Sequence, residues 1–217
     1  MAAEPQAERP LRADALRNRE RILDAASALF AERGVQVSLD EVAERAGVGV
    51  GTVYRRFADR EELVNAVLES RIKEILAIAE EAQRNPDPWE GLKFLLEHGA
   101  EFHGRNRALK QLMFSAPGGR KWVDSVRERM RPISAALVEA AQAQGKLRAD
   151  LDTLDVPLMM MTLASLIEFT KGTDNWRRLL GVVFDGLVTQ RDTPTELGAD
   201  PATIEELMAA MKRSSGV

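Results

Sequence analysis

The sequence is most constrained between Ser38 and Phe57, where helix signals flank a glycine turn in SLDEVAERAGVGVGTVYRRF. Ser38 is a favoured helix N-cap residue, and Glu41, three residues later, completes a capping box. Gly47 stands where a helix commonly ends, because glycine adopts a positive φ at little cost. Val53 and Phe57 lie four residues apart on one face of a second helix. Two short helices joined by a tight turn predict a helix-turn-helix, whose second helix enters the DNA major groove.

The second predicted helix carries chemical groups that suit contacts with DNA. Gly49 and Gly51 leave its first turn without bulk, so that backbone amides can approach phosphate closely. Hydroxyl and guanidinium groups follow, and such groups donate to phosphate oxygens and to guanine edges. We therefore predict the DNA-binding residues to be Ser38, Gly49, Val50, Gly51, Thr52, Tyr54, Arg55, Arg56 and Arg60.

This stretch resembles the TetR family of bacterial transcriptional regulators. The resemblance is carried by capping, small and aromatic residues at fixed offsets, namely Ser38, Val42, Ala43, Ala46, Gly47, Val48, Gly51, Thr52, Tyr54 and Phe57, followed by Asp59-Arg60-Glu61-Glu62-Leu63. It is strong over about residues 14–65, and beyond them it depends on length, helix count and layout. The family usually has histidine at the position of Arg56, lysine at that of Arg60 and serine at that of Gly49. Arginine, like histidine, can donate to phosphate.

The resemblance implies a function and a domain organisation. It implies a repressor that a small-molecule effector releases from a palindromic operator. The fold class is expected to be all-α, with a three-helix DNA-binding domain and a larger helical ligand-binding and dimerisation domain. We divide the chain into a flexible N-terminal arm (1–13), the helix-turn-helix domain (14–60), the ligand-binding and dimerisation domain (61–190) and a polar tail with the pattern of a short helix (191–217).

Apolar periodicity predicts the helices outside the motif. The first helix, over about 14–32, would brace the helix-turn-helix pair in the resembling family. Asp59 caps a long helix to about Gln83, which links the two domains. Pro132 is expected to kink the helix over 121–144. The remaining helices are predicted over about 88–104, 107–114, 153–171 and 173–190.

The last two helices are candidates for a dimer interface. The first of them contains VPLMMMTLASLIEF, which is apolar around nearly its whole circumference and so needs neighbours on all sides. In the resembling family these two helices form a four-helix interface with the partner chain. We therefore expect a homodimer through the helices about 153–171 and 173–190, with Leu163 in the interface. Small residues that would permit close approach are Ala164, Ser165, Gly181 and Gly186.

The resemblance also implies an effector pocket in the second domain. The residues predicted to line it are Phe94, His98, Phe102, Met113, Phe114, Trp122, Met160, Met161 and Glu168. Apolar residues at helical spacing are more often plain core. His98 and Glu168 are more informative, because polar groups within apolar helices need a partner or solvent. The alternatives are a satisfied core histidine at His98 and a salt bridge across the dimer at Glu168.

The net charge of −4 does not by itself suggest DNA binding. Residues 1–60 contain ten arginines and ten acidic residues, so that segment is neutral as a block. The placement of the arginines is more informative, and a two-fold dimer would double their footprint. Arg17 and Arg21 share one helix face, which suits phosphate contacts and a solvated surface equally. The two clusters are Arg9, Arg12, Arg17, Arg19 and Arg21, and then Arg55, Arg56 and Arg60.

The amino-acid composition argues against several other classes of site and location. The chain of 217 residues has no cysteine, which excludes disulfides and thiolate metal sites. No apolar run approaches the roughly 18 residues of a membrane span, and no signal peptide begins the chain, so we expect a cytoplasmic location without membrane contact. His98 and His103 lie about 140° apart around a helix and do not share a face, so a metal site would need carboxylates such as Glu101 from elsewhere.

No catalytic motif is present either. The chain lacks a glycine-rich phosphate loop, G-x-S-x-G and H-E-x-x-H, so we predict no enzyme activity, no metal and no cofactor. A helical protein-interaction adaptor without specific DNA binding stays as the alternative. That alternative would leave the donor-rich segment over residues 51–56 without a purpose.

Overall fold

The computed structural model describes residues 8–106, 119–170, 173–190 and Thr203. Within them the chain forms eight α-helices, and the predicted all-α class is confirmed. None of the helices in this part of the chain is long and apolar enough to cross a membrane. The helices are α1 (Glu8–Arg33), α2 (Leu39–Ala46), α3 (Val50–Tyr54), α4 (Arg60–Arg84), α5 (Pro88–Arg105), α6 (Gly119–Ala143), α7 (Asp155–Phe169) and α8 (Asn175–Leu187).

The helices follow the predicted order, with differences at some of their ends. α1 begins at Glu8, so residues 8–13 are helical rather than part of a flexible arm. Pro10 does not prevent this, because a proline in the first turn removes no hydrogen bond of the helix. α6 continues through Pro132. The short helices expected over 107–114 and within 191–217 lie outside the described residues, apart from Thr203.

The chain divides into two compact units. The first takes in the described residues up to Lys73 and those of 106–123, and the second takes in those of 74–105 and from Asp124 onward. One boundary therefore falls within α4 and another within α6. The unit that contains the helix-turn-helix extends along the first half of α4, beyond the predicted domain boundary at residue 60.

The interior of the first unit is made by apolar side chains of α1 to α4. They recur three or four residues apart along each helix, as an amphipathic helix requires. Burying one such side chain fully contributes about 1.5–3 kcal/mol. Those with at most 1% of their surface exposed are Ile22, Ala26, Phe30, Val42, Ala43, Val53, Leu63, Val67 and Leu68.

The interior of the second unit is centred on α5, which packs along α7. Its larger cluster includes Leu92, Leu95, Leu96, Val138, Ala141, Leu147 and Val156. A smaller cluster joins α5, α7 and α8 through Ala100, Leu163, Trp176 and Leu180.

The buried side of α7 and α8 corrects part of the predicted interface. Leu163 is only 4% exposed and packs inside the protomer, so its expected place in a dimer interface is wrong. Ala164 and Gly181 are also buried within the protomer, whereas Ser165 and Gly186 are exposed. The sequence showed no polar side to distinguish these positions, because α7 is apolar on most of its circumference.

One connection, between α6 and α7, holds the end of α8 in place. Leu147 and Val188 form an isolated antiparallel bridge. The Arg148 amide donates to the Leu187 carbonyl at 2.9 Å, and Arg148 Nη1 donates to the Gly186 carbonyl at 3.1 Å. These bonds satisfy carbonyl groups that the last turn of a helix leaves without partners.

The same connection is tied to the start of α5 by Asp87. Its carboxylate accepts from Lys146 Nζ at 2.6 Å and from the Trp89 amide at 3.0 Å. The bond from Lys146, more than that from the amide, lowers the pKa of Asp87 below its ordinary value of 3.8. Because the folded-state pKa is depressed, the resulting stabilisation is present above about pH 4 and is lost as the pH falls through the folded-state pKa.

We predict that Asp87→Asn lowers the free energy of unfolding at neutral pH and makes it less dependent on pH below about pH 5. Urea unfolding at a series of pH values measures both effects. Asp124→Asn is the matched control, since Asp124 is exposed and pairs with Arg127 of its own helix. An equal change of the pH dependence in the two variants would contradict the role given to Asp87.

Candidate nucleic-acid interface

The start of α2 is held by the predicted capping box, which the structure confirms. Ser38 Oγ accepts from the Glu41 amide at 3.2 Å, and Glu41 Oε2 accepts from the Ser38 amide at 2.8 Å. The bonds from the Ser38 amide and hydroxyl lower the pKa of Glu41. The hydroxyl itself donates to Glu41 Oε2 at 2.8 Å, which uses its one proton. Ser38 therefore acts here as a cap, and donation to a phosphate would require this bond to break.

The turn after α2 has the predicted left-handed residue. Gly47 has φ 62° and ψ 41°, and its amide donates to the Glu44 carbonyl at 3.1 Å. The Val48 amide donates to the Ala43 carbonyl, also at 3.1 Å. These two bonds close the helix end and direct the chain into α3.

The second helix of the motif is shorter than predicted. α3 ends at Tyr54, Arg55 occupies its C-cap position, and Arg56 lies beyond it, so the placement of both arginines on the helix is wrong. The amides of Arg56 and Phe57 both donate to the Val53 carbonyl, at 2.9 Å each. This tightened last turn brings the Phe57 ring into the interior, where it is 3% exposed.

The outer face of α3 groups several of the predicted DNA-binding residues. Val50 is 45% exposed and Tyr54 is 50% exposed, although both are large side chains with apolar surface. Gly51 and Arg55 are exposed beside them, while Thr52 is half-buried. A Cβ atom added at Gly51 would meet nothing within 4 Å, so this part of the helix has open space in front of it. We call Val50, Gly51, Tyr54 and Arg55 the α3 outer face.

Most of the first-unit arginines whose side chains the structure describes are already engaged by residues of that unit. Four form ion pairs with carboxylates, and three donate to neutral acceptors. Among the same arginines, Arg19 and Arg55 form no side-chain ion pair or hydrogen bond with the described residues. The ion pairs are Arg17–Asp14, Arg33–Glu41, Arg45–Glu32 and Arg71–Asp24, and the neutral acceptors are Ala46 O and Gly47 O for Arg21, Ala15 O for Arg56 and Gln36 Oε1 for Arg60.

Arg21 has a role that the sequence did not indicate. Its Nη2 atom donates to the Ala46 carbonyl at 2.6 Å and to the Gly47 carbonyl at 3.2 Å. Neither a phosphate contact nor a purely solvated side chain describes this arrangement. The partners lie 25 residues along the chain, so no local pattern could have revealed them.

The predicted effector-pocket residues are only partly brought together. On α5, the rings of Phe94 and His98 stack with centroids 3.9 Å apart, and His98 Nδ1 donates to the Phe94 carbonyl at 3.0 Å. The expected alternative of a satisfied histidine is thus present. Phe102 and Met160 are buried, at 4% and 5% exposure.

The other pocket candidates lie elsewhere. Met161 is 45% exposed and Glu168 is also exposed, so neither lines the interior with Met160. Consecutive residues of a helix point about 100° apart, which separates Met161 from its buried neighbour. Trp122 belongs to the first compact unit. Met113 and Phe114 lie outside the described residues.

A second exposed surface lies on α7 and α8. Its large apolar side chains recur at helical spacing, so that they share one side of each helix. Each helix therefore exposes an apolar stripe to solvent. The α7–α8 face consists of Leu154, Leu158 and Met161, at 64%, 61% and 45% exposure, and of Leu179 and Val182, at 47% and 53%.

Two protein-family models match the chain. The model of bacterial regulatory proteins of the tetR family matches residues 22–67, which include α2 and α3. The model of the C-terminal domain of SbtR-like transcriptional regulators matches residues 89–189.

Relatives agree with these models. An HTH-type transcriptional regulator of Staphylococcus aureus is 31% identical over 101 residues, which is 46% of this chain and 55% of that protein. The chain thus spans about half the length of the curated relatives it matches.

Solved structures with the same fold cover more of the chain. The TetR transcription regulatory protein from Mycobacterium vanbaalenii is 31% identical with a TM-score of 0.61, and the match covers 82% of this chain and 99% of that one. A TetR transcriptional regulator from Streptomyces coelicolor is 26% identical with a TM-score of 0.57, and covers 78% and 98%.

The turn geometry generates a test of the Arg21 contact. A Cβ atom at Gly47 would lie 2.9 Å from Arg21 Nη2, whereas one at Gly34, which has a similar φ of 79°, would meet nothing within 4 Å. We predict that Gly34→Ala costs only the left-handed strain, about 1–2 kcal/mol. Gly47→Ala should cost about 1 kcal/mol more, because it also displaces the guanidinium. Chemical unfolding measures both, and equal losses would contradict a stabilising contact between Arg21 and the turn.

Proposed function

Because the chain belongs to the TetR family, we propose that it is a DNA-binding transcriptional regulator, a homodimeric repressor that a small-molecule effector releases from a palindromic operator. DNA binding is the part of this proposal that the α3 outer face supports. This face lies on the second helix of the helix-turn-helix, where Val50, Gly51, Tyr54 and Arg55 are exposed together. An exposed valine and tyrosine beside a guanidinium without a partner among the described residues are suited to a groove of DNA.

Each residue of this face has a proposed role, as do its neighbours Gly49 and Thr52. Gly49 and Gly51 let the backbone of α3 approach phosphate closely. Thr52 and Tyr54 donate their hydroxyl protons to phosphate oxygens, and Arg55 donates to a guanine edge or a phosphate. The Val50 side chain is suited to the methyl group of thymine.

Arg60 supports the same surface from the start of α4. Its Nη1 atom donates to Gln36 Oε1 at 2.7 Å, which is a neutral acceptor. The charge of Arg60 is therefore not compensated by this bond and remains available to attract phosphate.

A dimer is supported by the α7–α8 face. A two-fold axis would place the same face of a second chain against it, so that each apolar stripe covers the other. The resulting dimer would present two α3 helices, which bind half-sites when they lie about 34–36 Å apart. Ser165 and Gly186, both small and exposed, would permit close approach of the helices.

The effector is proposed to bind in the second unit, near the part of α5 that carries Phe94 and His98. α4 contributes residues to both compact units, so a shift of this helix would be felt in each of them. An effector releases DNA only if it binds better to the form whose recognition helices are wrongly spaced.

The α3 outer face leads to a prediction about Gly51. Because its Cβ position is open and glycine is a poor helix residue, Gly51→Ala should keep or slightly raise stability, by up to about 1 kcal/mol. The same methyl group should weaken operator binding at least tenfold by keeping the backbone away from phosphate. The experiment is the selection of genomic fragments by the purified wild-type protein, followed by affinity measurement of both proteins on the recovered site.

The outcome of the selection decides between the functions. A recovered palindrome that overlaps a promoter would support the repressor. Random fragments that are lost as salt rises would contradict it and favour the adaptor, because nonspecific phosphate attraction is all that would then remain. An unchanged affinity of Gly51→Ala would remove the backbone of α3 from the interface.

The α7–α8 face leads to a prediction about oligomeric state. Leu158→Arg should convert the dimer to monomers, since it places a charge in a face that would be buried against its copy. Leu16→Arg is the matched control, because Leu16 on α1 is equally exposed, at 62% against 61% for Leu158. Sedimentation velocity measures the two variants. A Leu158→Arg protein that still sediments as a dimer would show that the interface lies elsewhere.

A further inference from the structure

We propose that Arg21 and Arg56 position the recognition helix by clamping the helix-turn-helix to α1, and that Arg55 rather than Arg56 is the guanidinium presented to DNA. This inference rests on the proposed role of α3 in DNA binding. It assigns different tasks to two neighbouring arginines that the sequence treats alike.

The first half of the clamp is the bond from α1 to the end of α2. Arg21 Nη2 lies 2.6 Å from the Ala46 carbonyl and 3.2 Å from that of Gly47. Carbonyl groups at a helix C-terminus have no partner within the helix and carry partial negative charge. A guanidinium is therefore well suited to hold this end, and it holds it directly before α3 begins.

The second half runs in the opposite direction, from the end of α3 back to α1. Arg56 Nη2 donates to the Ala15 carbonyl at 2.8 Å, across 41 residues of sequence. Ala15 and Arg21 lie six residues apart on α1, which corresponds to about 9 Å. The two contacts thus lie on either side of α3 in the sequence, and they fix the ends of the segment that carries the α3 outer face.

The neighbouring arginine is placed differently. Arg55 is exposed at the C-cap of α3 and its side chain bonds to none of the described residues, whereas Arg56 is half-buried. Arg56 keeps further N–H donors, but its half-buried position and its bond to α1 leave it less open to a phosphate than the exposed Arg55. Because its acceptor is a neutral carbonyl, the clamp needs a donor at Arg56 but not a charge. Removing the charge of Arg56 should therefore leave the salt dependence of DNA binding unchanged, whereas removing the charge of a phosphate-binding arginine should reduce it.

The test compares Arg55→Gln, Arg56→Gln and Arg56→Ala in the full chain, on the operator recovered by selection. For each protein the affinity is measured over a range of salt concentrations. Loss of one phosphate contact reduces the slope of log K against log[salt] by about 0.9, hence by about 1.8 for a dimer. We place the Arg55 guanidinium on a phosphate and therefore expect that reduction for Arg55→Gln. For Arg56→Gln and Arg56→Ala, whose side chains are too short to reach the Ala15 carbonyl, we expect a wild-type slope with an affinity at least tenfold lower.

Amide hydrogen exchange without DNA gives an independent measurement. Arg56→Ala and Arg56→Gln should both speed exchange in the first turns of α1 after Ala15 and in α3, whereas Arg55→Gln should leave it unchanged. A slope reduced as much by Arg56→Gln as by Arg55→Gln would overturn the proposal, as would wild-type exchange in Arg56→Ala. If Arg56→Ala does not fold, Arg56→Gln still decides through its slope. A wild-type protein that binds no specific site would instead contradict the proposed function, whatever the exchange shows.

Discussion

The DNA-binding unit depends on the left-handed turn at Gly47, where Arg21 donates hydrogen bonds to the carbonyl groups of Ala46 and Gly47. The turn closes α2 through two backbone bonds and sets the direction of α3. A five-residue helix is too short to be stable by itself. Its orientation therefore comes from the turn before it, from Val53 and Phe57 beneath it and from the bond of Arg56 to α1. Together these contacts let such a short helix present a defined surface.

The charge that this unit can present to DNA depends on where its arginines lie and what they bond to, rather than on the net charge of the chain. The chain has a net charge of −4, and four arginines of the first unit are neutralised by ion pairs with carboxylates. Exposed ion pairs of this kind contribute little to stability, with a median of about 0–1 kcal/mol. Their larger effect is to neutralise guanidinium groups that would otherwise attract phosphate. Arg21, Arg56 and Arg60 donate instead to neutral acceptors, and Arg55, which bonds to none of the described residues, lies on the outer face itself.

The second unit combines a well-filled interior with an apolar face that the protomer does not cover. Leu163, Trp176 and Leu180 join α5, α7 and α8, while Leu158 and Val182 point away from that cluster. The same two helices thus serve an internal core and an external face. This division explains how α7, which is apolar nearly all round, packs into the core on one side and remains exposed on the other.

The sequence by itself determined the helix order, the capping box at Ser38, the glycine end of α2 and the family resemblance, because these signals act between residues a few positions apart. The sequence could not determine where α3 ends, because the end of this helix depends on the burial of Phe57. It also could not determine which side of α7 is buried and which is exposed. Nor could it separate Arg55 from Arg56. The tertiary structure decided that distinction, because the acceptor of Arg56 lies 41 residues away and becomes its neighbour only when α1 packs against the motif.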